Sequence, residues 1–156
     1  MFLHNILLFL SLLPKTKIIN TPIFENFNMI KLHNVVLLNE QYINLNTEDT
    51  HSLHFEYKNI YIIDYSPIED ITKPDVLLKI ILGKNINGKV NIFYFDKIEK
   101  KDIINQSYKK ISSKIKLLNK KIYKIIDSWD SSFNLYNHNC RHFSHYFVKS
   151  CDILYF

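Results

Sequence analysis

Cys140 is the residue around which chemistry is most readily built in this chain. It sits in Phe133–Phe147, FNLYNHNCRHFSHYF, where Asn137 or Asn139 suits the N-cap of a terminal helix and Cys140 then falls in the first turn. Backbone N–H groups and the positive end of the helix dipole favour a thiolate there, which is how a cysteine becomes a nucleophile near neutral pH. Helical counting puts Cys140, Phe143, Phe147, Cys151 and Leu154 on one inward face. At a rise of ~1.5 Å per residue the two cysteines are about 16 Å apart, beyond disulfide reach. Cys151 therefore reads as a core thiol.

A nucleophilic cysteine needs a base, usually His, and a third group to orient the imidazole. The alternating stretch Thr50–Tyr57, a turn at Lys58-Asn59 and a second run Ile60–Ser66 predict a β-hairpin. Pairing across a two-residue turn sets His51, Leu53, Phe55, Tyr57, Ile60, Ile62 and Asp64 on the apolar face, with His51 and Asp64 diagonal to each other and within reach. His51 is thus the expected base and Asp64 its orienting carboxylate. His54 is the fallback, because a register one residue longer would set it against Asp64, at the cost of turning Glu56 and Lys58 inward.

The other histidines invite plainer readings. His142 lies about 200° around the helix from Cys140, so it supports the site, together with Asn139, and does not accept the proton. His138, His142 and His145 with Cys140 lack an acidic or second thiol ligand at metal-binding spacing, so no metal is expected. His33 and His4 sit in apolar runs and read as structural, as Trp129 does at the end of an apolar stripe.

Around these residues the sequence predicts a strand within Met29–Leu38, a short helix at Pro74–Leu82 with Pro at its start and Gly83 after its end, and a strand at Lys89–Phe95. From Asp102 to Trp129, apolar residues at Ile104, Tyr108, Ile111, Ile115, Leu118, Ile122, Ile125 and Trp129 recur at three-and-four spacing, predicting one long amphipathic helix, or two, with its lysines on a solvated face. The leading run Met1–Leu13, MFLHNILLFLSLL, is too short to span a bilayer, which takes about 20 apolar residues. It also lacks the charged start and small-residue cleavage site of a signal peptide. A helix packed on the domain or lying at an interface fits it best, ahead of a leader upstream of a start at Met29.

Composition restricts partners. The 156 residues carry 20 Lys+Arg against 15 Asp+Glu, net +5, with 47% hydrophobic and 14% aromatic content, which is enough for one folded core. Ile, Lys and Asn supply 24, 19 and 17 residues, while Arg141 is the single arginine and alanine is absent. That bias is the mark of a low-GC genome, so the lysine excess is poor support for nucleic acid binding, and nucleic acid is not an expected partner. Two cysteines make no disulfide framework, and a reducing intracellular compartment is the default.

The order of a His on an early strand, a polar residue on the next strand and a Cys opening a late helix resembles the circularly permuted papain-like proteins, which include the lecithin:retinol acyltransferase-like and NlpC/P60-like enzymes. Tyr136 to Phe143, YNHNCRHF, resembles that group's N-C-E-H-F signature, with Arg141 in place of the acidic residue. His51 to Pro67 resembles its strand-turn-strand. The resemblance implies Cys140 as nucleophile, His51 as base and Asp64 in the third position, where the acyltransferases often have a second His. The same pieces, HSLHFEYKN, IIDYSP and NCRHF, also resemble a small core-gene protein family of baculoviruses, nudiviruses and related insect viruses, which implies virion assembly or envelopment and membrane association.

The expectation is an α+β fold: a small antiparallel sheet from about residue 30 to 95, packed by the long helix and by the Cys140 helix, in a permuted papain-like arrangement. Residues 1–28 form a hydrophobic leader or helix and 29–156 one domain. The expected function is a thiol hydrolase or acyltransferase acting on an acyl, lipid or peptide substrate without cofactor. Its rival is a non-catalytic viral structural or membrane-associated protein, with residues 1–13 offering a membrane contact.

Overall fold

Runs of consecutive apolar residues, VVLL at Val35–Leu38 and IYII at Ile60–Ile63, have no polar face to give to water. Strands of this kind must lie in the middle of a sheet covered on both sides. The structure, a computed structural model, describes residues 15–21, 33–39 and 56–155 and places both runs there. Strands β1 (Lys15–Thr21), β2 (His33–Asn39), β3 (Glu56–Pro67), β4 (Ile86–Glu99) and β5 (Ser132–Phe133) form one antiparallel sheet in the order β1-β2-β3-β4-β5. Helix α1 (Pro74–Ile81) joins β3 to β4. Helix α2 (Lys100–Ile104), a 3₁₀ turn (Ser107–Lys109) and helix α3 (Lys120–Asp127) follow β4, and helix α4 (Cys140–Tyr155) closes the chain. The class is α+β. Helix α2 touches both β1 and β4, so the sheet is curled.

Alternation along the central strands divides the interior into two cores. Val35, Leu37, Ile60 and Ile62 point to one face, where Ile19, Phe95, Ile98, Ile103 and Tyr108 join them. Val36, Leu38, Tyr61, Ile63 and Tyr65 point to the other, against Ile122 and Ile125 of α3 and Phe143, Phe147 and Cys151 of α4. Among the described residues no helix is long and apolar enough to cross a membrane.

Three expectations change. The 50–66 hairpin does not form as read: β3 runs unbroken through Lys58-Asn59, and Tyr57 pairs with Ile98 instead of Ile60. The turn-like signal is explained by Asn59, which takes a left-handed φ of 50° inside the strand, a conformation Asn tolerates. Next, the sheet extends beyond residues 30–95, because Lys15–Thr21, assigned to the leader, pairs along its whole length with β2. Met1–Leu13 lie outside the described residues.

The stripe from 102 to 129 is the third correction, since it is not one helix. It breaks at Gln106, which has a φ of 61°, and restarts only where the Asn119 side chain caps α3 by accepting from the Lys121 N–H at 2.9 Å. Its apolar residues serve different places: Tyr108, with Ile104 packed against the same cluster, enters one core, Leu118, Ile122 and Ile125 the other, while Ile115 remains 99% exposed. A helical period survived in the sequence although the chain crosses between two cores. Alpha1 and β4, by contrast, fall where expected, with Pro74 at the helix start and Gly83 at a φ of 72° after its end.

The division predicts unequal effects within the stripe. Ile122→Ala should cost roughly 2–5 kcal/mol in denaturant unfolding, and Ile115→Ala should stay within about 0.5 kcal/mol.

Candidate active site

Asp64 is the anomaly from which the site is built. It stands in the strand segment Ile62-Ile63-Asp64-Tyr65 and its carboxylate has no solvent exposure. An unpaired buried carboxylate is strongly unfavourable, and here both oxygens are engaged. Oδ1 lies 2.7 Å from His33 Nε2, an ion pair whose angle falls short of an ideal hydrogen bond. Oδ2 accepts from the Tyr108 hydroxyl at 3.1 Å and lies 3.5 Å from Lys109 Nζ.

Strand register explains the meeting with His33. Asp64 pairs directly with Val35, so His33, two residues away on the same face of β2, is its diagonal neighbour. Thr21, the register partner of His33, donates its buried hydroxyl to the His33 carbonyl at 3.3 Å and holds the start of β2. The 3₁₀ turn brings Tyr108 and Lys109 from the other side, and Gln106 Oε1 accepts from Lys109 Nζ at 3.0 Å.

The third direction belongs to Cys140, whose thiol hydrogen-bonds with the His33 imidazole. Asn139 caps α4 as expected: its Oδ1 accepts from the N–H groups of Arg141 at 2.9 Å and His142 at 3.3 Å, leaving Cys140 as the first helical residue. The cap engages two of the amides that could otherwise have faced an oxyanion. Asn139 also donates to the Leu135 carbonyl at 2.6 Å, and Ser144 Oγ donates to the Cys140 carbonyl at 2.8 Å, fixing the first turn. Phe143 and Phe147 then anchor the helix in the core, with Cys140 left 7% exposed.

The electrostatics of this group are coupled. Burial disfavours charge on His33, but the Asp64 carboxylate outweighs it, Cys140 adds to the pull, and the imidazole is raised to about 10. Burial likewise pushes Asp64 up, and the His33 charge, then Lys109 and the Tyr108 hydroxyl, hold it below the ordinary carboxylate range. Burial and the adjacent Asp64 charge raise Tyr108, so its hydroxyl stays a donor. The stable arrangement at neutral pH is an imidazolium paired with a carboxylate, with the Cys140 sulfur on the other side of the ring.

Of the expected residues, Cys140 and Asp64 therefore join one site. His51 and His54 lie outside the described residues, and Asp64 pairs with Val35 of β2 and Asn91 of β4. His33, read as structural, stands between Cys140 and Asp64. The sequence shows His33 only at the head of an apolar run; that this run lies beside the strand carrying Asp64 comes from the sheet order. His142 turns outward, its Nδ1 2.9 Å from Asn139 Oδ1, so it supports the cap. His138 stacks on Trp129 at 4.0 Å with its Nε2 on the Asp130 carbonyl. Among the described residues no group of His, Cys, Asp and Glu is placed to hold a metal ion.

No protein-family model matches the chain, and neither does any curated protein or solved structure.

The His33–Asp64 pair carries a definite pH dependence. Its folded-state His33 pKa lies above the ordinary value of 6.5, so the stabilisation is complete below about pH 6.5, provided Asp64 remains ionised, and is lost as pH rises through about 10. Asp64, held below its ordinary value of 3.8, loses its contribution only as pH falls beneath that range. Asp64→Asn should destabilise by about 3 kcal/mol at pH 6, with the gap from wild type closing towards pH 10. NMR of the His33 ring should find it protonated at pH 8 in the wild type and neutral in Asp64→Asn, where burial, the largest influence on the ring, no longer meets the carboxylate charge.

Proposed function

We propose that the protein is a thiol hydrolase or acyltransferase in which Cys140 is the nucleophile, His33 the proton carrier and Asp64 the group that orients His33. The observation that carries this reading is the continuous line Cys140–His33–Asp64, drawn from a helix start and two adjacent strands. Buried free cysteines are commonly inert, but few have an imidazole hydrogen-bonded on one side and a buried carboxylate behind it. The chain order of His on β2, polar residue on β3 and Cys at a late helix start also agrees with that of the circularly permuted papain-like proteins, and we propose that relationship with His33 in the base position.

The reaction follows from the charge state. With His33 protonated, Cys140 attacks as a thiolate at the carbonyl carbon of an ester, thioester or amide. A C–S bond forms, the bond to the leaving group breaks, and His33 gives its proton to the departing oxygen, sulfur or nitrogen. The acyl group is then a thioester on Cys140. Neutral His33 takes a proton from water or from an acceptor alcohol, thiol or amine, which attacks the thioester, expels Cys140 and restores the starting state. Asp64 keeps its charge throughout and holds the ring through Nε2, while Tyr108 and Lys109 keep the carboxylate from rotating away.

Intact-mass spectrometry after mixing with p-nitrophenyl acetate tests the proposal. The wild type should acquire one acetyl group on Cys140 and lose it by turnover. Cys140→Ser should acquire none there, and His33→Gln should slow acylation by roughly 10²–10⁴-fold. Wild-type acylation no faster than that of Cys151, or unaffected by His33→Gln, contradicts the reading and returns the protein to the non-catalytic class.

A further inference from the structure

The segment between the 3₁₀ turn and α3, residues 110–119, exposes aliphatic side chains together with its lysines. Two of those lysines touch β4 while remaining open to solvent. Lys114 forms an ion pair with Asp96 of β4, and Lys116 Nζ lies 4.7 Å from the centre of the Tyr94 ring and 3.5 Å from its hydroxyl. The intervening aliphatics are driven outward: Ile115 is 99% exposed and Leu117 80%. The backbone is tied down behind them, the Leu117 carbonyl accepting from the buried Tyr61 hydroxyl at 3.3 Å and the Leu118 N–H donating to Tyr123 Oη at 3.5 Å. Buried Leu118 anchors the far end in the core.

Charge on this part of the chain has one sign. Between Asp102 and Asp127 the sequence holds Lys109, Lys110, Lys114, Lys116, Lys120, Lys121 and Lys124 and no acidic residue. Two exposed aliphatic side chains held at the tip of a lysine-rich, acid-free segment match the boundary of an anionic bilayer, where aliphatics enter the acyl region and lysines meet the headgroups. Nucleic acid would call for aromatic or arginine contacts at such a tip, and this segment presents neither there.

We infer that residues 110–119 are a membrane-docking loop for anionic lipid surfaces, with Ile115 and Leu117 as the inserting side chains. The assignment does not depend on Cys140 being a nucleophile. It is also distinct from any contact made by residues 1–13, which the full-length chain keeps in the test.

Co-sedimentation of the full chain with vesicles of phosphatidylcholine alone, or with about 30% phosphatidylserine, decides it. The wild type should bind the anionic vesicles, weakly or not at all the neutral ones, and less as salt rises. Ile115→Asp/Leu117→Asp should lower the anionic partitioning at least ~10-fold with an unchanged melting temperature, since both side chains stand outside the core. Wild-type protein that ignores anionic vesicles, or a variant that binds them as well as wild type, overturns the inference. So does a wild-type dimer that the same variant dissociates, which would make the loop a protein interface.

Discussion

A carboxylate with no access to water, set in the middle of an apolar strand, is the constraint on which this structure turns. Asp64 is compatible with folding only if opposite charge and hydrogen-bond donors reach it through the protein. They come from two places distant in sequence: His33 at the start of β2, and Tyr108 and Lys109 in the turn after α2. The inner core of the curled sheet and the polar group are therefore one assembly. The strand register that buries Ile60 and Ile62 beside Val35 and Leu37 also delivers His33 to Asp64.

The opposite core positions the thiol of Cys140. Phe143, Phe147 and Cys151 seat α4 on the far face of the sheet, and the Asn139 cap sets where that helix begins, hence where Cys140 stands. The position of the thiol relative to His33 depends on the packing of one core and the register of the other. Substitutions remote from the site that shift α4 on the sheet should be felt at Cys140, because packed elements transmit displacement instead of absorbing it.

Much of this was legible from residue types. The Asn139-Cys140 helix start is local: a cap residue, an inward thiol and aromatic positions at helical spacing are all contained within the last twenty residues. Alpha1, bracketed by Pro74 and Gly83, is equally local. Asp64 was singled out because the expected hairpin set it on the apolar face diagonal to His51; it lies on a buried face, but its histidine partner is His33. His33 was not singled out, since its role depends on which strands are neighbours, and strand order is a non-local property. The alternation of Thr50–Tyr57 suggested a hairpin, while the structure pairs β3 with β2 and β4, and Asn59 takes its positive φ without reversing the chain. Periodicity from 102 to 129 misled for a related reason: residues serving two different cores fell by chance on one helical stripe.

If Cys140 and His33 act as a single activated pair, the rate of Cys140 alkylation by iodoacetamide from pH 5 to 10, in wild type and His33→Gln with Cys151 as the internal control, shows it. An activated pair gives a Cys140 rate that persists well below the ordinary free-thiol range of about 8.5 and that drops when His33 is replaced while Cys151 is unchanged. A Cys140 rate that tracks Cys151 at every pH, with or without His33, would contradict it.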